Sequence, residues 1–131
     1  SVSKDAIDVV IYCADADRRK AVIDGVGLRP GKGMPKINWV ETATAQGALD
    51  AVSAHTPPVV VLDADVPKVG GMAVLQDITN ELEQAPVPIL LIARPQDNWL
   101  AEWSGAAVTV LAPYDPLDLQ EAMVEAISQA K

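Results

Sequence analysis

The chain has 131 residues, half of them apolar, with 18 acidic and 10 basic side chains and a formal charge of -8. That length suits one domain with one core; the acidic balance excludes a nucleic-acid binder, whose affinity would come from Lys and Arg on phosphates, and opposes binding to anionic membranes. The single cysteine, Cys13, excludes an intramolecular disulfide, no apolar run approaches the ~20 residues of a membrane span, and the polar start Ser1-Val2-Ser3-Lys4-Asp5 is unlike a secretory leader, so a cytoplasmic protein is expected.

The first apolar run, Ile7 to Cys13 (IDVVIYC), predicts a strand. Asp17 to Leu28 opens with an acid and spaces Ala21, Val22 and Val26 as a helix does. A loop-like insert, Arg29 to Lys36 (RPGKGMPK), leads to a weaker strand, Ile37 to Val40 (INWV). Thr44 is a capping residue ahead of a helix to His55 that places Ala48, Leu49 and Val52 on one face. The third strand is Val59 to Leu62 (VVVL), followed by a helix over Gly71 to Leu82 carrying Met72, Val74, Leu75 and Ile78. The fourth strand is Pro88 to Ile92 (PILLI), with a short amphipathic helix at Asp97 to Trp103 after it. The fifth is Ala106 to Leu111 (AAVTVL), and the last helix, Asp115 to Ala130, starts with an Asp-Pro cap and buries Leu119, Ala122, Met123, Ala126 and Ile127.

Strand and helix thus alternate five times, the pattern of a parallel sheet with helices on both faces. Right-handed crossovers make it doubly wound, and ligand chemistry in such sheets sits beyond the carboxyl ends of the strands. That rule directs attention to Cys13–Asp17, Asp63–Gly70, Ala93–Gln96 and Ala112–Asp115.

The segment VVVLDADVPKVGGMAVLQDI carries an Asp at a strand end, a Pro four residues on and a Gly opening the next helix: Asp63, Pro67 and Gly71. With PILLIAR, Gly105-Ala106-Ala107 and VTVLAPYDPLDL, it resembles the receiver domains of response regulators over essentially the whole chain. The segment RPQDNWLAEWS is similar to a subgroup of stand-alone receivers from actinobacteria. The resemblance implies an α/β, flavodoxin-like (βα)5 fold with a five-stranded doubly wound parallel sheet, residues 1–131 forming one receiver-like domain without an output domain. It further implies two-component or phosphorelay signalling rather than enzyme activity. Asp63 would accept a phosphoryl group from a histidine kinase or a small phosphodonor, with Mg2+ neutralising charge.

Most of the residues that such chemistry uses are replaced. Cys13 and Ala14 stand where receivers carry an acidic pair, Ala93 where they carry Ser or Thr, Ala112 where they carry Lys, and Thr109 at the aromatic switch position. Asp63 with Asp65, or with a displaced Asp15, makes a weak Mg2+ site, because the metal wants several hard oxygen ligands. No other cofactor is indicated: the loop Cys13-Ala14-Asp15-Ala16-Asp17 would repel a flavin or dinucleotide phosphate, and GLRPGKG lacks the spacing and the Ser or Thr of a phosphate loop. Cys13, beside acids, is expected to be inert, and His55 to lie at the surface. Asp15 and Asp17 suit the start of a helix as charges favoured by its dipole.

Trp99 and Trp103 share one helix face, and with Tyr114 they form the candidate partner-binding surface. Two functions compete. One is an atypical, phosphate-independent receiver that docks a histidine kinase, another signalling protein, or a second copy of itself. The other is a genuine phosphoacceptor working through Asp63.

Overall fold

Uninterrupted Val, Ile and Leu runs become the inner strands of the sheet, because only strands covered on both faces can be apolar at every position. The computed structural model describes residues 6–64, 71–81, 85–97 and 108–130. Strands β1 (Ala6–Tyr12), β2 (Lys36–Thr42), β3 (Val59–Asp63), β4 (Val87–Ile92) and β5 (Val108–Leu111) pair in parallel in the order β2-β1-β3-β4-β5. All five residues of β3 and the last five of β4 are buried, whereas the edge strand β5 alternates buried and exposed. Edge position also explains why β2 looks weak in sequence: it extends beyond Ile37–Val40 through the polar residues Lys36, Glu41 and Thr42.

Helices α1 (Ala16–Val26), α2 (Ala45–His55), α3 (Gly71–Glu81) and α4 (Pro116–Gln129) cover the two faces. Side chains alternate across a strand, so Val9, Ile11, Val59 and Val61 pack under α1 and α4 with Val22, Met123 and Ile127. Val10, Tyr12, Val60 and Leu62 pack under α2 and α3 with Val52, Val74 and Ile78. Gly25 permits the close approach of α1 to α4, since a Cβ there would lie 2.8 Å from Leu119 Cδ1.

Side chains start each of three helices. Asp15 accepts the backbone N–H groups of Asp17 and Arg18, Thr44 that of Gly47, and Asp115 that of Leu117. The first helix therefore begins at Ala16, ahead of the expected Asp17, and stops at Val26, two residues short of Leu28, where Gly27 takes φ 79°. Trp39 Nε1 donates to the Gly27 carbonyl at 3.1 Å and ties that helix end to β2. His55 is partly exposed, as expected, with Nδ1 3.4 Å from Asp8 Oδ2. Between β4 and β5 a 3-10 turn spans Pro95–Asp97; the rest of the helix expected over Asp97–Trp103, including Trp99 and Trp103, lies outside the described residues, as do Asp65 and Pro67. Among the described residues no helix is long and apolar enough to cross a membrane.

Leu90, wholly buried in the second cluster, sets the expected scale of core packing: Leu90→Ala should cost about 2–5 kcal/mol in urea unfolding. Leu117, 67% exposed, should change stability by less than about 0.5 kcal/mol as Leu117→Ala.

Candidate functional site

The strand order reverses direction between β1 and β3, so their carboxyl ends flank the crevice where doubly wound sheets bind ligands. Cys13 follows β1 directly, and Asp63 closes β3. Asp63 keeps the two-residue alternation of Val59 and Val61, so its carboxylate falls on the α1 side of the sheet. It is 2% exposed. A carboxylate removed from water to that degree is costly unless a cation and hydrogen bonds compensate.

Arg18 supplies the cation. Its Nη1 donates to Asp63 Oδ2 at 2.8 Å, a short charge-assisted bond across 45 residues of sequence. Arg18 reaches the strand ends because it is the third residue of α1, and helical side chains lean back toward the N-terminus. The Asp63 partner, above all, makes the guanidinium hold its proton more firmly than usual. Arg19 binds the same corner from outside: Nη1 donates to the Cys13 carbonyl at 2.7 Å and Nε to Glu41 Oε1 at 3.0 Å.

The Cys13 thiol lies 3.4 Å from Asp63 Oδ2 and 3.4 Å from the Asp15 carbonyl, so it can donate its one proton to either. Burial first, and then the Asp63 charge, push it up to about 11. A buried thiol raised in this way holds little of the reactive thiolate form near neutral pH. Tyr12, on the opposite face of the sheet, is also raised, by burial and then by Asp63.

The other expected site residues distribute as follows. Ala14 is exposed, and the Asp15 carboxylate caps α1, which holds it below the usual carboxylate range through the Arg18 N–H first. Ala93 and Ala112 follow β4 and β5, and the Ala112 N–H donates to the Ile92 carbonyl, so both lie along the same edge of the sheet as Asp63 without offering a hydroxyl or ammonium. Thr109 is exposed on β5. The Ala112–Pro113 peptide is cis, and Tyr114 beyond it packs against the α1-side core with its hydroxyl buried.

The donors among the described residues do not fit Mg2+. The metal needs hard oxygens with room for water. Here Asp63 Oδ2 already faces a guanidinium and lies beside a protonated thiol, and Asp15 is committed to helix amides. Among the described residues no group of three His, Cys, Asp or Glu is placed to hold a metal.

Arg18 is the residue that motif reasoning misses. A signal for it exists in the sequence: two arginines in the first turn of a helix oppose the helix dipole, which favours acids there, and a local conflict of that kind points to a tertiary partner.

No family model matches the chain. Two proteins of Mycobacterium tuberculosis, one from each of two strains and both described as uncharacterized response regulatory proteins, are 30% identical over 117 residues, 89% of this chain and 88% of theirs. The signal receiver domain of the response regulator NarL from Mycobacterium tuberculosis superposes with a TM-score of 0.77 at 23% identity, covering 95% of this chain and 98% of that one. The receiver domain of Francisella response regulator 1452 gives 0.77 at 16% identity, covering 95% and 99%.

Three outcomes follow from the pocket. Arg18→Ala leaves a buried carboxylate without its cation and should cost about 2–4 kcal/mol in urea unfolding, less than a fully buried pair because Arg18 is 30% exposed. Asp63→Asn removes the buried charge and leaves a guanidinium that can turn to water, so it should cost clearly less. The folded thiol keeps its proton to about pH 11 and an ordinary thiol loses it near 9.0. The Cys13 contribution is therefore complete below pH 9 and lost as pH rises from 9 to 11. Cys13→Ala should flatten that part of the curve of unfolding midpoint against pH.

Proposed function

The chain belongs to the response regulatory proteins of two-component signalling, and we propose that within this family it acts as a phosphate-independent receiver whose output is contact with another protein. One observation carries the proposal: Asp63 Oδ2 is buried against the Arg18 guanidinium and the Cys13 thiol. Phosphoryl transfer depends on a free, positioned nucleophile and on fixed charges around the transferred group. A receiver with one acceptor oxygen already paired to a guanidinium, and with Ala93 and Ala112 at its Ser/Thr and Lys positions, offers a hindered nucleophile and lacks the groups that would draw loops toward a phosphate.

Receivers work by meeting histidine kinases and effector proteins, and a docking module of this type needs no catalytic activity of its own. The contact surface in this reading includes Trp99, Trp103 and the part of Tyr114 that the core leaves uncovered, with a cytoplasmic signalling protein as partner and a second copy of the chain as the alternative occupant. Asp15, committed to capping α1, takes no part as a metal ligand in this reading.

A second reading, phosphorylation on Asp63, is favoured by the position of this carboxylate at the end of β3 beside a cation that is still 30% exposed. A phosphodonor such as acetyl phosphate would then transfer its phosphoryl group to a carboxylate oxygen of Asp63 and release acetate. Intact-mass spectrometry after incubation with acetyl phosphate and Mg2+ separates the two readings. The expected result is an unchanged mass for the wild type; a gain of one phosphoryl group that disappears in Asp63→Asn establishes the second reading instead.

A further inference from the structure

The geometry points to Arg18 as a built-in replacement for a divalent cation: its guanidinium fills the cation position between the ends of β1 and β3, and keeps that position closed to metal ions even when a second carboxylate is supplied there. The inference deepens the reading of Asp63 as ion-paired and rests on it.

Three observations lead there. First, Asp63 is the one charged residue among the buried residues described, so this corner of the sheet requires positive charge from somewhere. Second, that charge comes from a helix position where its local energetics are wrong. The first turn of α1 carries the positive end of the helix dipole, which disfavours an arginine there, and the short bond to Asp63 offsets that. Third, the space beside Asp63 Oδ2 is shared by Arg18 Nη1 at 2.8 Å and Cys13 Sγ at 3.4 Å. A carboxylate at Cys13 would stand next to Asp63, and two adjacent carboxylates are both ionised only when a cation lies between them. Arg18 is 30% exposed, so removing its side chain opens a route from solvent by which a hydrated ion can enter.

The substitution Cys13→Asp supplies a second hard-oxygen ligand, and Arg18→Ala withdraws the resident charge. Binding of Mn2+ is read from loss of its free-ion electron paramagnetic resonance signal, and binding of Mg2+ from the unfolding midpoint. Wild type and Cys13→Asp, which both retain Arg18, are expected to bind both ions weakly. Cys13→Asp/Arg18→Ala is expected to bind Mn2+ at least about tenfold more tightly than either and to gain on the order of 5 °C at saturating Mg2+. Adding Asp63→Asn is expected to abolish both effects. If alanine prevents folding, Arg18→Gln keeps the bulk and removes the charge, and is judged by the same criteria.

Binding by Cys13→Asp as tight as by the double variant overturns the inference, since Arg18 would then exclude nothing. So does a folded double variant that ignores both ions, or binding that survives Asp63→Asn. These outcomes are separate from the phosphorylation result: a wild type that accepts phosphate beside Arg18 can still reject metal, and one that binds metal can still refuse phosphate.

Discussion

A carboxylate that ends an inner strand must meet a positive charge before the sheet can close around it. Asp63 is held on the α1 side by the alternation of β3, and the buried residues described on that side are otherwise Val, Ile, Leu, Met and Ala with Cys13. The arginine that answers it has to arrive from the first turn of α1, whose placement depends on Asp15 accepting two amides. The end of β1, the start of α1 and the end of β3 are thereby fixed relative to one another through a few polar atoms. Arg19 extends the arrangement to β2 by joining the Cys13 carbonyl to Glu41.

How legible a feature is in the sequence depends on whether its cause is local. The inner strands are legible because both their faces are covered, so their composition carries the signal without help from periodicity. β2 is only half legible: its ends are polar, and pairing with β1 from Ala6↔Lys36 to Tyr12↔Thr42, rather than apolar content, makes it a strand. The caps at Thr44 and Asp115 follow from short-range chemistry and lie at the positions the sequence suggests. Asp15 shows the limit of such reading, because two nearby acids compete for one cap and only the backbone geometry decides between them.

The pocket was legible in its losses and hidden in its replacement. Alanine at positions 93 and 112 can be recognised from a motif, whereas the Arg18–Asp63 bond joins residues 45 apart and depends on how α1 crosses the sheet. Periodicity is indifferent to Arg18, since a partly exposed residue fits any polar position of an amphipathic helix. Only the dipole argument marks it as unusual. Cys13 behaves similarly: its burial follows from the strand pattern, but its closeness to Asp63 follows from the pairing of β1 with β3.

A counter-charge covalently joined to the protein differs in kind from one drawn from solution. Its local concentration is set by the length and stiffness of the segment that carries it, here the first turn of a helix anchored by its own cap. Chelators cannot strip it, because a peptide chain rather than an equilibrium with free ions keeps it beside Asp63. The counter-charge of the corner between β1 and β3 arrives with the fold itself, from the first turn of α1.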